Sequence, residues 1–116
     1  MRIEEFSFGA IRIDGRTYEH DVVIANGKVH KRVKKPSKHF KKRFGHTPVS
    51  LDENVPWECK RLVIGTGLYG QLPVMGGVIE EAQRRGIELS IEPTPEAIRQ
   101  LGRGAEHTNA ILHVTC

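Results

Sequence analysis

Cysteine is nearly absent: the 116 residues hold two, Cys59 and Cys116, with 56 residues between them. Two are too few for a disulfide scaffold, and the spacing gives no reason for them to pair, so both are expected as reduced thiols. Long apolar runs are missing as well. None exceeds five residues, far short of the ~20 that a membrane-spanning helix needs. The opening Met1-Arg2-Ile3-Glu4-Glu5 has neither the apolar centre of a signal peptide nor the Arg- and Ser-rich character of a transit peptide. A cytoplasmic address is the expectation. Aromatic residues make up only 6%, and Trp57 is the sole tryptophan. What remains is ordinary for a folded chain: 38% apolar and 28% charged residues exclude a disordered segment. The length fits a single domain, 1–116, able to bury a core without metal or disulfide.

Acid is missing from one stretch. Between Lys28 and His46 stand nine basic residues and no Asp or Glu. The rest of the chain holds nine basic against fourteen acidic residues, net −5, within an overall charge of +4. The block contains Lys31, Arg32, Lys34, Lys35, Lys38, Lys41, Lys42 and Arg43, together with His30, His39 and His46. Such a block is either a solvated loop or a landing site for a protein partner, a small anion or nucleic acid. Phe40 and Phe44, spaced i, i+4, either pin one helical turn to the core or offer rings to bases. No RNA-recognition or helix-turn-helix signature accompanies them, which makes nucleic acid the weaker alternative.

The first half reads as three or four short antiparallel strands. Phe6, Phe8 and Ala10, then Ile11 and Ile13, alternate with polar neighbours around a phase shift at Gly9, as at a bulge. Asp14-Gly15 and Asn26-Gly27 are hairpin turn pairs, and Pro36 ends the last strand. A short helix over Lys38 to Phe44 is expected to stop at Gly45, and Trp57 to cover the core. The second half changes period. Arg61-Leu62-Val63-Ile64 is the unbroken apolar strand of a parallel sheet. A helix is expected to start at Leu72 or Pro73 and end at Arg84-Arg85 before Gly86. A strand follows over Ile87 to Ile91, then a helix capped by Thr94 and ended by Gly102, then a strand over Ala110 to Val114. Strand, helix, strand, helix, strand implies right-handed crossovers and parallel strands.

Gly65-Thr66-Gly67-Leu68-Tyr69-Gly70 follows the apolar strand and matches G-x-G-x-x-G, with Glu92 22 positions further on. In a dinucleotide-binding fold this loop cradles pyrophosphate at a helix N-terminus while the acid holds a ribose. Pro73 argues against that geometry, because a helix running through Gly70 would carry a proline in its interior at ~3 kcal/mol. Two readings stay open: an anion-binding loop, and glycines that only permit close backbone approach. No cofactor is expected. His113 and Cys116, three apart on a strand, face opposite sides and make no metal pair, so no metal is expected either. Candidate catalytic groups reduce to His46, Tyr69, His113 and Cys116, with Cys116 a potential nucleophile beside a histidine. Satisfied core positions are the alternative for His113.

The run Leu62 to Gly70, the pair Gly45-His46, the ending Leu112-His113-Val114-Thr115-Cys116, and the hairpin Asp21 to Ile24 with Asn26 to Val29 resemble a known family. It is a family of small uncharacterised domains that includes the adipogenesis-associated domain-containing protein and the mitochondrial complex I assembly factor three. The resemblance implies an α/β, three-layer architecture: a mixed central sheet with helices on one face and a small antiparallel sheet from the N-terminal half on the other. It implies no catalytic activity, and a binding or assembly role. This chain departs from the family in its short last helix, ending at Gly102-Arg103-Gly104, and without a presequence the organelle role is not expected. The expected function is non-enzymatic binding of a protein partner or small anion at Gly65–Gly70 and the basic segment. The alternative is a small enzyme or nucleotide binder using the same loop with Tyr69, His46 and His113.

Overall fold

The computed structural model describes all 116 residues. Eight strands run in order: β1 (Ile3–Ser7), β2 (Ala10–Ile13), β3 (Arg16–Tyr18), β4 (Val22–Ala25), β5 (Lys28–Lys31), β6 (Arg61–Thr66), β7 (Glu88–Glu92) and β8 (Thr108–His113). Three α-helices accompany them: the single turn α1 (Lys41–Phe44), α2 (Gly76–Arg84) and α3 (Thr94–Gly102). A 3-10 stretch, Lys35–Phe40, leads into α1, and Gly45 ends it in the left-handed conformation at φ 76°.

The strands form two sheets. β1-β2-β3 is a small antiparallel meander, and β5-β4-β8-β6-β7 is a mixed sheet with β8-β6-β7 parallel and β5-β4-β8 antiparallel. Asp14-Gly15 and Asn26-Gly27 both have positive φ at both residues, as type I′ turns require. Three expectations change. Gly9 is not a bulge: Ser7 pairs with Ala10, so Phe8-Gly9 is itself the hairpin turn, and Phe8 lies 57% exposed at its tip. The N-terminal half does not all enter the small sheet. Val22 and Ile24 fill one core cluster and Val23 packs on the other, so β4 has to lie in a sheet covered on both faces, and it carries β5 with it. The helix after the glycine loop starts at Gly76 rather than Leu72 or Pro73. The Pro73 carbonyl accepts from Val49 N–H, and Val49 and Val74 form a parallel bridge that draws this stretch into an extended form.

The layers follow from the crossovers. From β6 the chain steps to β7 on one side, then returns past β6 to β8 on the other. Right-handed crossovers taken in opposite directions lay their helices on opposite faces. Val78 of α2 accordingly packs with Leu62, Ile64 and Ile111. Ala97 and Leu101 of α3 pack with Val63, Ala110 and Leu112 and with Ile11 and Ile13 of β2. The sheet is thus the middle layer, α2 covers one face, and the small antiparallel sheet covers the other with α3 beside it. No helix is long and apolar enough to cross a membrane.

Candidate functional site

The carboxyl ends of β6 and β7, where connections leave for opposite faces, are where an open α/β sheet ordinarily forms a ligand crevice. Here that place is closed. Gly65, Thr66 and Gly67 are buried. Thr66 Oγ1 donates to the Glu92 carbonyl at 3.1 Å. Gly67 N–H donates to Thr94 Oγ1 at 2.8 Å, and Thr94 N–H returns a bond to the Gly67 carbonyl at 2.9 Å. The same Thr94 hydroxyl donates to the His113 carbonyl at 2.7 Å, so it joins three strand ends instead of capping α3. The amides of Leu68, Gln71 and Leu72 donate to the carbonyls of Thr115, Cys116 and Thr66. A phosphate cradle needs such N–H groups free and a helix beginning behind them. This loop has most of its amides occupied, and its helix starts six residues after Gly70. The glycines serve backbone approach: a Cβ on Gly67 would stand 2.4 Å from the Cys116 carbonyl carbon, and one on Gly65 2.8 Å from Thr94 Oγ1. The expected glycine-lined hollow is therefore filled by the C-terminal residues and the start of α3.

What reaches water is the rim of that loop. Tyr69 is 68% exposed, Leu68 is half-buried and Gly70 is exposed. The Phe8 ring lies 6.3 Å from the Tyr69 ring, held there because Gly9 N–H donates to the Val114 carbonyl at 2.7 Å. Cys116 Sγ comes within 3.6 Å of His46 Nδ1. This contact brings the end of the basic segment, one residue beyond the α1 cap, to the same rim. Lys41, Lys42 and Arg43 on α1 are exposed, as are Lys31, Lys34, Lys35 and Lys38. Arg43 lies over the Phe44 ring at 5.3 Å, and the His39 ring lies against Phe40, 3.9 Å between centroids and tilted by 42°. Both phenylalanine rings are half-buried and have a face occupied, which disfavours base stacking.

Two of the sequence-derived candidates belong elsewhere. Arg32 is only 3% exposed and takes no part in a surface patch. Its Nε and one η nitrogen donate to Glu53 at 2.8 and 2.9 Å, and its other η nitrogen to Asp21 at 2.9 Å. Further bonds reach the carbonyls of Thr47 and Pro48. Ser37 donates to Glu53 and shares a 2.6 Å bond with Ser50. His113, 6% exposed, has both ring nitrogens occupied: Nδ1 donates to Asp21 at 2.9 Å and Nε2 meets Thr115 Oγ1 at 3.0 Å. Burial alone would raise the Asp21 carboxyl. The hydrogen bond and charge of His113, the Val114 amide and Arg32 outweigh it and hold the group at about 2. Burial likewise opposes the Arg32 charge, and Glu53 and Asp21 reverse that and push its pKa up. No buried side-chain nitrogen or oxygen lacks a partner. The order Asp21-His113-Thr115 is that of a carboxylate, imidazole and hydroxyl relay. Asp21 and His113 are buried, and Thr115, half-buried at the end of the series, bonds through its hydroxyl to His113; together with the Val114 amide on Asp21 they tie the C-terminal residues to the crossing between the two sheets.

Asp21, Ser37, Ser50 and Glu53 escaped the sequence reading, because partners 11 to 21 positions apart leave no local pattern. Cys59 and Cys116 are both free thiols, and burial raises the Cys59 thiol above its ordinary pKa.

Residues 3–111 match the model of the family described as protein of unknown function (DUF498/DUF598). The chain belongs to this family. Among solved structures it is similar to a conserved hypothetical protein from Pyrococcus horikoshii OT3, at 32% identity over 100% of both chains with a TM-score of 0.79. It also resembles the structure called MT938, at 24% identity over 98% of this chain and 97% of that one, TM-score 0.72. A Bordetella pertussis protein described as an Mth938-like domain shares the fold at 16% identity, over 97% and 84% of the two chains, TM-score 0.63. No curated protein matches the chain.

Proposed function

We propose that this chain is a cytoplasmic, non-enzymatic binding module that docks an acidic segment of a protein partner on the rim formed by Phe8, Leu68, Tyr69 and His46, flanked by the cations of α1. The observation that carries this reading is the pair of exposed, adjacent aromatic rings, Phe8 and Tyr69, on the side to which Cys116 and His46 bring the basic segment. Exposed aromatic side chains beside cations are what an interface anchor requires. A macromolecular partner is favoured over a small anion because the loop amides that would hold an anion are bonded to the protein itself. A docking role also agrees with the resemblance to a family that includes an assembly factor.

The test is a screen of acidic peptides carrying a single aromatic residue, read by fluorescence anisotropy. Joint replacement Phe8→Ser with Tyr69→Ser should weaken the best peptide about tenfold or more, the scale of a truncated interface anchor, without lowering the melting temperature. Affinity should fall as salt rises. A peptide that binds the doubly substituted chain as tightly as the native one defeats the reading.

A further inference from the structure

β5 is an edge strand, bonded to β4 alone. The two-residue turn Asn26-Gly27 sets its register: Ala25 faces Lys28 and Val23 faces His30 as hydrogen-bonded pairs, and Arg32 N–H continues the ladder to the Asp21 carbonyl at 2.9 Å. The alternation of an antiparallel pair then turns the N–H and C=O of Val29 and Lys31 away from β4. Two donors and two acceptors thus face outward from a strand whose sequence is Lys-Val-His-Lys. Lys34 and Lys35 follow, and no acid lies between residues 28 and 46.

Beside this edge lies a hollow of about 520 Å3, with Val23 and Ala25 of β4 on its floor and Trp57 and Arg85 on its wall. Its shape is fixed by side chains that are already committed. Asn109 Nδ2 donates to the Pro56 and Glu58 carbonyls at 3.0 and 3.3 Å, and its Oδ1 accepts from Asn26 N–H at 3.0 Å. Arg85 sits 5.1 Å over the Trp57 ring while its Nε is held by Glu81 at 2.7 Å. His30 shares the Val23 face, so a residue added across from His30 would project over the hollow.

We infer that β5 accepts an extended acidic segment of a partner as an additional strand, with one apolar or aromatic side chain seated in the hollow beside Trp57. Main-chain bonds to Val29 and Lys31 supply affinity, and the pocket supplies specificity. Acidic flanks of the segment meet Lys28, Lys31 and Lys34. The side chain in the hollow is apolar or aromatic because Val23, Val55, Pro56 and Trp57 offer it apolar contact there. Charge selects this edge: the opposite one, β7, carries Glu88 and Glu92 and turns an acidic strand away, while two copies of β5 repel each other. The inference rests on the acidic-partner reading above and assigns that partner a second contact.

The probe is an eight-residue peptide alternating glutamate with valine around one central phenylalanine. Binding is followed by Trp57 fluorescence and by amide hydrogen exchange. Bound peptide should slow exchange at Val29 and Lys31 about tenfold or more, with His30, already bonded to β4, unchanged. Lys31→Pro, which removes an outward N–H that β4 does not use, should weaken binding more than Lys31→Gln does. Peptide that binds without protecting Val29 and Lys31 overturns the added strand and leaves the acidic-partner reading standing. Failure of this probe and of every acidic peptide in the rim screen overturns both.

Discussion

At the scale of single residues, the ion cluster around Arg32 decides how the molecule responds to acid. Asp21 is held near 2 in the folded chain against 3.8 for the free group. A depressed carboxyl stabilises the fold above its unfolded value, and that contribution is lost as pH falls through 3.8 towards 2. The shift corresponds to about 2 kcal/mol. Denaturant unfolding at pH 5 and at pH 2 should therefore show the stability gap between the native chain and Asp21→Asn narrowing by about that amount. A gap that stays constant would mean that Asp21 is not held as its geometry indicates. This cluster was the part least legible in the sequence. Arg32 reads as one more cation among exposed lysines, and only its place across from Asp21, one step beyond β5 on the same ladder, sends it to Asp21 and Glu53.

At the scale of elements, the glycine loop shows how a motif can be present without its chemistry. The letters G-x-G-x-x-G were legible, and so was the warning from Pro73 that no helix runs through Gly70; the later start at Gly76 was not. Missing from the sequence was what fills the crevice: Thr94 from the start of α3 and the carbonyls of Thr115 and Cys116, brought together only by the return of the chain to β8. Gly67, with φ 102° and no room for a Cβ, is the critical position. Gly67→Ala should cost about 2–4 kcal/mol from overpacking and backbone strain together. Gly70→Ala, where the nearest atom is a Pro93 side-chain carbon at 3.2 Å, should cost about 1 kcal/mol for its left-handed backbone. Thermal or denaturant unfolding checks both. Equal stability of native and Gly67→Ala chains would contradict a loop built for packing. The turns themselves were legible to the residue, since Asp14-Gly15 and Asn26-Gly27 are local chemistry. The destination of the β4–β5 hairpin was not, because joining the central sheet depends on both faces of β4 finding cover.

At the scale of the whole molecule, the uneven charge acquires a place. A chain with net −5 outside residues 28 to 46 wraps its cations around one end, from the β5 edge through α1 to His46. That end also carries the only adjacent pair of exposed aromatic rings, Phe8 and Tyr69. The alternation of apolar residues foretold the strands and helices of the second half, and with them the parallel core. It did not foretell that Phe8 would meet Tyr69, because the alternation counted Phe8 into a strand where the chain in fact turns, and Tyr69 belongs to no periodic element. The molecule is accordingly read as a rigid double-faced sheet that presents one aromatic and basic end to an acidic partner. Chemical-shift mapping of the isotope-labelled protein, titrated with the tightest acidic peptide, tests this most directly. The account predicts the largest changes at Phe8 and Gly9, His46, and Leu68 to Gly70, with smaller ones along Lys41 to Arg43. Changes confined to α2 and β7, with those residues silent, would contradict it.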